Sequence, residues 1–536
     1  MLSHLPKNNR CREDGNQNHI YKSMSTQHLS EQELLRREKL AELIMMGIEP
    51  YPAPLFPVNN YSDHIKKNLT TENKEQFTEL CMAGRIMSVR DMGKANFCVI
   101  QDSHGKVQLY IRRDDICPGE DKTLYDIVWK KLIDIGDIIG IKGYGFITKT
   151  GEPSVHVTEL ILLSKSLRPL PIVKEADGQT FDAVTDMEFK YRQRYADLII
   201  NPAVKETFIK RTKLINSIRE FLNNHGALEV DTPVLQSIPG GAIARPFVTH
   251  HNALDILLYL RIANELYLKR LIVGGFDWVY EFSRNFRNEG MDRTHNPEFT
   301  ILEFYTAYKD YFWMMETTEQ LLEKAAMDVC GNTELSVGDK TISFKAPFKR
   351  ISIYDAIQEN TGTDVSKMNE EQLRSICKQL HIPVDKTMGK GKLIDSIFGD
   401  KCEKNYVQPT FIIDYPVEMS PLTKKHRDKQ GLVERFELII NGKEIANAYS
   451  ELNDPIDQRE RFEEQVKLQE RGDDEAMFID YDFLRALEYG MPPTSGIGFG
   501  IDRLCMLLTN SASIQDVLLF PQMRPERQNE DPGANS

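Results

Sequence analysis

Two short segments each place an arginine among turn-forming or acidic residues: FRNEGMDRTHNPEF (286–299) and GIGFGIDR (496–503). Arg287 and Arg503 lie 216 residues apart, so only a large fold could bring both guanidinium groups onto one ligand. Guanidinium donors match phosphate oxygens in geometry and charge, and we therefore expect one ATP site built from both segments. The second segment is not a GxxxxGK[ST] loop, and no βαβ unit surrounds it, which argues against a P-loop or a dinucleotide fold.

The first arginine lies at the end of a predicted antiparallel hairpin, DWVYEFSRNFR followed by FTILEFYTAY. Side chains alternate between the two faces of a strand, so Phe299, Glu303 and Tyr305 share one face. At about 3.3 Å per residue, Phe299 and Glu303 lie roughly 13 Å apart. That distance fits an adenine at one end and a substrate side chain at the other, with Arg287 beside the phosphates.

A second hairpin is predicted in VERFELIINGKEIANAYSELND, where Asn441-Gly442 is a strong tight-turn signal. A two-residue turn places Ile439 opposite Glu444, with Glu437 diagonal to Glu444 on the same face. Carboxylates this close repel unless a cation separates them, and Mg²⁺ bound together with phosphate oxygens fits. Without the arginines, two separately solvated acids would be the simpler interpretation.

Simple alternation creates a conflict in this second hairpin. It places Asn447, Tyr449 and Glu451 on the face opposite Glu444, although all four are candidates for the same site. A β-bulge near residues 445–446 would bring them together, and bulges occur beside active sites. The sequence therefore predicts a bulge there, and an unbroken ladder would contradict the shared site.

Residues from about 78 to 165 show short β-like runs separated by glycine turns and interrupted by one helix-like segment, LYDIVWKKL. This pattern predicts a five-stranded oligonucleotide-binding (OB) barrel. Arg90, Phe97 and Glu159 could face outward together, and an exposed aromatic side chain on such a barrel stacks nucleotide bases. For Phe97, alternation alone leaves a core position equally open.

Composition excludes several classes of protein. The chain has 536 residues, enough for two or more domains, and no apolar run approaches the roughly 20 residues that span a bilayer. The first 23 residues lack a hydrophobic signal core, and the eight cysteines form no CxxC pair or zinc-like spacing. These features favour a cytoplasmic protein with free thiols. A net charge of -13 argues against bulk attraction to nucleic acid but leaves room for a local basic path.

These segments resemble the three signature motifs of class II aminoacyl-tRNA synthetases, over nearly all of residues 28–525. NNHGALEVDTPVL is similar to motif 1, with Pro233 at the dimer interface, FRNEGMDRTHNPEF to motif 2 and GIGFGIDR to motif 3. The preceding barrel indicates the subgroup for lysine, aspartate and asparagine, in which the bacterial lysyl-tRNA synthetases are the best match. The resemblance implies an α+β fold, with an N-terminal five-stranded OB-type barrel and a catalytic domain built on an antiparallel sheet flanked by helices.

The resemblance also implies roles for individual residues. Arg287 would bind the α-phosphate and Arg503 the outer phosphates, which makes them the catalytic pair, while Phe299 would stack on adenine. The implied ATP site is Arg287, Glu289, His295, Phe299 and Arg503. The implied lysine site is Gly241, Glu265, Glu303, Tyr305, Asn447, Tyr449 and Glu451. Glu437 and Glu444 match the magnesium carboxylates, and Arg90, Phe97 and Glu159 match positions around the anticodon.

The charge of the amino-acid pocket distinguishes lysine from aspartate and asparagine. Glu265, Glu303 and Glu451 would be costly to bury without a cation, and the ε-ammonium of lysine supplies one. We therefore expect a cytoplasmic homodimer that uses ATP and Mg²⁺ to convert L-lysine to lysyl-adenylate and transfers the lysyl group to the 3′ end of tRNA(Lys). Two departures from the motifs, His225 in motif 1 and Thr294 in motif 2, do not affect this set.

Three other functions are compatible with parts of the sequence. A regulatory nucleic-acid-binding paralogue is disfavoured by the intact arginines and carboxylates, an enzyme that lysylates proteins by the presence of the barrel, and an aspartyl or asparaginyl enzyme by the acidic pocket.

The predicted organisation is a leader (1–27), an N-terminal helix and linker (28–60), an anticodon-binding OB domain (61–166), a linker (167–180), a catalytic domain (181–525) with a helical insertion near 364–400, and a tail (526–536).

Overall fold

The computed structural model describes residues 29–171, 174–176, 179–181, 187–242, 244–386, 388–470 and 478–525. The chain divides into two compact units, Met1–Ala183 and Val184–Ser536. The predicted leader (1–27) and tail (526–536) lie outside the described residues. Within the described part of the chain, no helix combines the length and apolar character that crossing a membrane requires.

The first unit begins with helix α1 (Glu31–Met45). Ser30 caps this helix: its side chain accepts from the Glu33 backbone N–H, and the Glu33 carboxylate accepts from the Ser30 backbone N–H, so the two residues form a capping box. Gly47 follows the helix with φ +75°, in the left-handed region that favours glycine. Buried Arg36 donates to the carbonyls of Ile135 and Ser166, at 2.8 and 3.0 Å, and so anchors the helix within the unit.

Five strands form a closed barrel in the order β1-β2-β3-β5-β4. The strands are β1 (Leu80–Asp91), β2 (Ala95–Gln101), β3 (Lys106–Arg112), β4 (Ile138–Ile147) and β5 (Pro153–Ser164). The other elements of this unit are α2 (Ser62–Asn68), a 3₁₀ turn (Lys74–Phe77), α3 (Arg113–Ile116), a π-helical segment (Leu124–Leu132), β6 (Lys174–Ala176) and β7 (Gln179–Phe181). The π-helical segment is LYDIVWKKL, so the predicted barrel and its helical interruption are both confirmed.

An eight-stranded sheet organises the second unit, in the order β16-β17-β18-β19-β20-β13-β12-β8. Its strands are β8 (Leu228–Glu229), β12 (Trp278–Phe286), β13 (Glu298–Ala307), β16 (Lys349–Ser352), β17 (Thr410–Pro416), β18 (Leu432–Ile440), β19 (Lys443–Ser450) and β20 (Thr494–Gly500). All neighbours are antiparallel except the outer pairs β16/β17 and β8/β12. The predicted α+β fold is confirmed, with these parallel pairs at the two edges.

The remaining strands form smaller sheets. The segment ALEVDTPVL is split at Pro233: β8 joins the main sheet, whereas the next strand joins a three-stranded sheet. The smaller sheets contain β9 (Leu235–Gln236), β10 (Val248–His251), β11 (Ile256–Leu260), β14 (Glu334–Val337) and β15 (Lys340–Ser343).

The helices of the second unit are α4 (Met187–Arg192), α5 (Arg194–Ile200), α6 (Pro202–Asn224), α7 (Glu265–Val273), α8 (Tyr311–Cys330), α9 (Ile353–Thr361), α10 (Glu370–Gln379), α11 (Lys390–Lys401), α12 (Pro455–Glu470), α13 (Tyr481–Glu488), α14 (Ile501–Thr509) and α15 (Ile514–Val517). Two 3₁₀ turns, Glu403–Asn405 and Val417–Met419, follow α11 and β17. Helices α10 and α11 occupy the segment where a helical insertion was expected.

The hydrophobic core fixes which side of the main sheet carries chemistry. Leu302 and Phe304 of β13 are fully buried in one cluster with Leu222 of α6, Leu322 of α8 and Leu504 of α14. These helices therefore cover the face to which the even-numbered residues of β13 point. Alternation sends the odd-numbered residues of this strand to the opposite face.

Candidate active site

A cleft of about 580 Å³ opens on that opposite face. Its walls come from β13, β18, β19 and β20, with the first turns of α7 and α14. Thirteen of the fourteen residues predicted for the catalytic site line it, and they are Gly241, Glu265, Arg287, Glu289, His295, Phe299, Glu303, Tyr305, Glu437, Glu444, Asn447, Tyr449 and Arg503. The structure therefore brings together residues more than 260 positions apart.

One end of the cleft is cationic. Arg287 follows β12, its backbone N–H donates to the Pro297 carbonyl at 2.9 Å, and its guanidinium lies 5.0 Å from the centre of the Phe299 ring. Burial lowers the pKa of Arg287, although the neighbouring carboxylates of Glu289 and Glu444 oppose that effect. Its Nε is buried and has no hydrogen-bond partner among the residues that the structure describes. Such a donor favours an anionic ligand.

Arg503 occupies the first turn of α14 and contacts the β18/β19 hairpin and the second motif segment. It donates to the Glu444 carbonyl at 2.9 Å, and its other terminal nitrogen lies 3.2 Å from His295 Nε2. His295 Nδ1 lies 2.9 Å from Asp292, an arrangement in which Nδ1 carries the proton and Nε2 accepts from the arginine. Burial would raise the pKa of Asp292, but hydrogen bonds from Thr294 and His295 outweigh it and hold this pKa low. The sequence analysis did not identify Asp292.

The predicted β-bulge is present. Leu438 pairs with Ala446 and Ile439 pairs with Glu444, which leaves Ile445 as the extra residue of β19. The turn before it uses Asn441 and Gly442, with φ +54° and +68°, as a tight turn of this kind requires. The bulge shifts the alternation by one position, so that Glu444 and Asn447 both line the cleft.

Carboxylates converge near the cationic end. Burial raises the pKa of Glu437 to about 7, because the opposing effect of Arg435, at 2.6 Å, is offset by Glu444 and Asp395. Burial and Glu444 likewise raise the pKa of Glu403. Asp395 and Glu403 come from α11 and the turn after it, and sequence reasoning missed both. The raised pKa values of Glu437 and Glu403 show that their charges are not fully compensated, which favours a divalent cation among these acids.

The carboxylate oxygens suit Mg²⁺, but they do not form a closed cage. No group of three or more His, Cys, Asp or Glu side chains in the described ranges is arranged to hold a metal ion. This fits Mg²⁺, which is commonly bound by one or two carboxylates together with substrate phosphates and water.

The other end of the cleft is acidic. Glu265 begins α7 and accepts from the Tyr449 hydroxyl at 2.7 Å, while Glu303 of β13 accepts from the Tyr305 hydroxyl at 3.1 Å. Both carboxylates are at least 95% buried. Burial, with a further contribution from Glu265, raises the pKa of Glu303 to about 8. Free of ligand, Glu303 therefore carries a proton at neutral pH.

Glycines of the third motif segment line the cleft and leave space beside β13 because they have no side chains. Gly496, Gly498 and Gly500 pair with Tyr305, Glu303 and Ile301 across the β13/β20 ladder. A Cβ at Gly496 would overlap the Tyr305 ring and the Glu451 carboxylate. The close approach of these two side chains therefore requires glycine at position 496.

Glu451 is the one predicted residue that does not line the cleft. It is 2% exposed, lies beneath Gly496 and forms an ion pair with Lys269 of α7. Lys269 is fully buried and also lies 2.5 Å from Glu265. The sequence argument from the three pocket acids did not take Lys269 into account. The signal was present, because Glu265 and Lys269 are four residues apart in ELYLK and meet on one helix face.

The barrel carries a separate surface for stacking. Arg90 pairs with Phe97 across β1 and β2, and its guanidinium lies 5.1 Å from the ring centre. Phe97 is half-buried between buried neighbours, so it points away from the barrel core. The row continues over the other strands through Tyr110, His156 and Tyr144, with successive ring centres 5.2, 5.1 and 4.7 Å apart. These three aromatic residues were not predicted.

Glu159 does not belong to this row. It is exposed on β5, three residues beyond His156, and pairs with Lys142 of β4 at 2.8 Å. The structure therefore brings Arg90 and Phe97 into contact, whereas the recorded partner of Glu159 is a lysine on a different strand.

Comparison with known families agrees with both units. A family model described as tRNA synthetases class II (D, K and N) matches residues 186–524, and one described as an OB-fold nucleic acid binding domain matches residues 80–163. The chain belongs to the class II aminoacyl-tRNA synthetases of the aspartate, lysine and asparagine subgroup.

Curated relatives cover nearly the whole chain, and those compared are named lysine–tRNA ligase. The protein from Porphyromonas gingivalis is 66% identical over 94% of this chain and 87% of its own length. The protein from Azobacteroides pseudotrichonymphae is 65% identical over 93% and 99%, and that from Christiangramia forsetii is 63% identical over 95% and 89%.

Proposed function

We propose that this chain activates L-lysine with ATP and transfers the lysyl group to the 3′ end of tRNA(Lys). The observation that carries the proposal is one cleft with opposite ends: guanidinium groups beside an aromatic ring at one end, and buried carboxylates at the other. The high identity to relatives named lysine–tRNA ligase supports the same substrates.

In this proposal ATP lies against the cationic end. The adenine stacks on Phe299, and the guanidinium of Arg287, with its unpaired buried Nε, binds the α-phosphate. Arg503 and His295, already in contact, bind the outer phosphates, with Glu289 at the rim of the cleft. Arg287 and Arg503 are the proposed catalytic residues, because they neutralise the charge that develops during transfer.

Mg²⁺ fits the carboxylates beside these arginines. Glu437 and Glu444 are the proposed ligands, and the acidic surplus that Asp395 and Glu403 add makes a divalent cation favourable there. When bound, Mg²⁺ neutralises the phosphate oxygens and lowers the charge barrier to attack.

Lysine is the amino acid that fits the acidic end. The ligand carries two ammonium groups, and two buried carboxylates, Glu265 and Glu303, line the cleft there. Aspartate would add a negative charge to this region, at a cost of several kcal/mol. Gly241, Tyr305, Asn447 and Tyr449 complete the proposed lysine pocket, with Glu451 beneath Gly496.

The chemistry needs positioning more than a base. The lysine carboxylate is ionised at neutral pH, and one of its oxygens attacks the α-phosphorus while the bond to the β-phosphate oxygen breaks and pyrophosphate leaves. A hydroxyl of the terminal ribose of the tRNA then attacks the adenylate carbonyl, the bond to the phosphate oxygen breaks, and AMP leaves while its phosphate takes up the hydroxyl proton. No nucleophilic side chain is required in either step, in agreement with a cleft lined by arginines and carboxylates.

We further propose that residues 61–166 form the anticodon-binding domain. Its Arg90–Phe97 pair and the adjoining aromatic row offer stacking surfaces for unpaired bases. Glu159 is proposed to contact the anticodon from its position on β5. The catalytic domain is proposed to span residues 181–525, joined to the barrel by residues 167–180.

A cytoplasmic homodimer is also proposed. Exposed apolar side chains cluster on β9, β10 and β11, and they are Leu235, Val248, Ile256 and Leu257. Patches of this kind mark protein interfaces. The described cysteines are all free thiols, as expected for a reducing compartment.

One assay tests the proposed function. ATP–pyrophosphate exchange measured separately with each of the twenty amino acids should give strong exchange with lysine, and charging of tRNA(Lys) should follow. Exchange with aspartate or asparagine instead of lysine would overturn the assignment. Exchange with lysine but no charging of tRNA would leave only the activation step supported.

A further inference from the structure

Lys269 is a buried cation behind the acidic end of the cleft, and the proposed chemistry does not use it. Its side chain is fully buried and does not line the cleft. Its ammonium lies 2.5 Å from Glu265 Oε1 and also pairs with Glu451, and it sits 5.5 Å from the centre of the Tyr449 ring. Lysine is rarely buried to this degree unless its charge is paired.

The contacts of Glu265 explain why such a cation matters. Its Oε1 accepts both from Lys269 and from the Tyr449 hydroxyl, the latter at 2.7 Å. An oxygen that accepts two hydrogen bonds is fixed in place, and the second carboxylate oxygen remains for a ligand in the cleft. Burial alone would lower the pKa of Lys269, but Glu265 and Glu451 outweigh it and raise this pKa, so the ammonium is charged at neutral pH.

Glu303 differs from Glu265 in its partners. It lines the same end of the cleft and accepts from Tyr305, but no ion pair with a cation is recorded for it in the described ranges. At the acidic end of the cleft, Glu265 is therefore paired with a cation, Lys269, and Glu303 is not.

We propose that Lys269 is a positioning residue for the amino-acid substrate, and that its ammonium holds Glu265 in the orientation that receives an ammonium group of lysine. This inference rests on the proposed function, because it concerns the same pocket. Lys269 touches neither substrate nor ATP and acts through Glu265. Glu451 is the second buried carboxylate that contacts the Lys269 ammonium.

The experiment measures ATP–pyrophosphate exchange with lysine in the full chain. Lys269→Met keeps the apolar stem but removes the charge, and it should raise the KM for lysine at least tenfold while the KM for ATP changes less than twofold. Lys165→Met is the matched control, because Lys165 is also fully buried between two carboxylates, Asp134 and Asp137, in the barrel unit. The control should leave the KM for lysine unchanged.

A double variant separates positioning from an independent effect. Because Lys269 acts through Glu265, adding Lys269→Met to Glu265→Gln should raise the KM for lysine less than twofold beyond Glu265→Gln alone. If Lys269→Met does not fold, Lys269→Met/Glu451→Gln removes the ion pair as a whole and should fold, again with a KM for lysine raised at least tenfold.

Several outcomes would overturn the proposal. These are a KM for lysine within twofold of the parent in the folded variant, an equal rise in both KM values, full multiplicative loss with Glu265→Gln, or the same KM change in Lys165→Met. Failure of the proposed function is a different result. In that case the parent protein itself would not exchange with lysine.

Discussion

The two units each bury a lysine between two carboxylates, and the surrounding charges differ. In the barrel unit Lys165 pairs with Asp134 and Asp137, and Lys39 also pairs with Asp134 at 2.6 Å, so two lysines meet two aspartates. In the catalytic unit Lys269 alone meets Glu265 and Glu451, with Glu303 close by. The first cluster is balanced, whereas the second carries an acidic surplus.

The difference separates a structural use of buried charge from a functional one. A balanced cluster pairs its own charges and needs no ligand, so removing one partner leaves a buried charge unpaired; in the barrel this cluster ties α1 to the loop before β4. An excess of buried negative charge is reduced either by protonation of a carboxylate or by binding of a cationic ligand. The acidic end and the Glu437/Glu444 region share this property, so we expect substitutions there to affect catalysis and substitutions in the barrel cluster to affect stability.

The largest expected effect is at the cationic end of the cleft. Arg287→Ala removes the proposed α-phosphate ligand and should lower ATP–pyrophosphate exchange by about 1,000-fold. Binding of tRNA through the barrel should persist, as measured by filter binding or fluorescence titration. Arg36→Ala, which removes a buried arginine from the barrel unit, is the control and should retain exchange. Unchanged exchange in Arg287→Ala would contradict the assignment.

The next effect concerns the acid without a cation. Glu303→Gln keeps the volume of the side chain but removes the charge that receives an ammonium group, and the KM for lysine should rise about 100-fold. The matched change in the balanced cluster is Asp137→Asn, which should lower the melting temperature and leave the KM for lysine as it was. If Glu303→Gln and Asp137→Asn had a similar KM for lysine, the two clusters would not differ in function.

Local patterns in the sequence predicted the barrel, the two hairpins and the bulge, whereas the catalytic fold and most of the residue roles followed from the resemblance of the three motif segments to a known family. Tight-turn chemistry at Asn441-Gly442 and alternation in β13 fixed both hairpins, and the conflict at Glu444 predicted the bulge at Ile445. Asp395 and Glu403 were not predicted to line the cleft, because their positions depend on how α11 packs, and this packing has no local signature in the sequence. The positions of Glu451 and the aromatic row likewise depend on neighbours distant in the chain.

A smaller effect is expected on the barrel surface. Phe97→Ala removes the ring beside Arg90 and should weaken tRNA charging about tenfold, as for the loss of one stacked base. Exchange with lysine and ATP alone should be unaffected, because the barrel takes no part in activation. Equal loss in both assays would mean that the two units do not divide these roles.

The smallest effect concerns pH and follows from the surplus itself. Burial raises the pKa of Glu303 to about 8, with Glu265 and Glu281 as the neighbouring acids and Tyr305 donating to it. Below about pH 8, the carboxyl group of free Glu303 holds a proton, which must be lost when the ammonium of lysine binds. Lysine binding should therefore become stronger as the pH rises. The KM for lysine should fall about fivefold between pH 7 and pH 8, in inverse proportion to the ionised fraction of Glu303.

Glu303→Gln has no such proton, and its KM for lysine should not change over this interval. Proton release on lysine binding, measured by calorimetry in buffers of different ionisation enthalpy, provides an independent check. It should approach one proton at pH 7 in the parent protein and none in the variant. A KM for lysine that stays constant from pH 7 to pH 8 in the parent, with no proton released on binding, would show that Glu303 is already ionised before the substrate arrives.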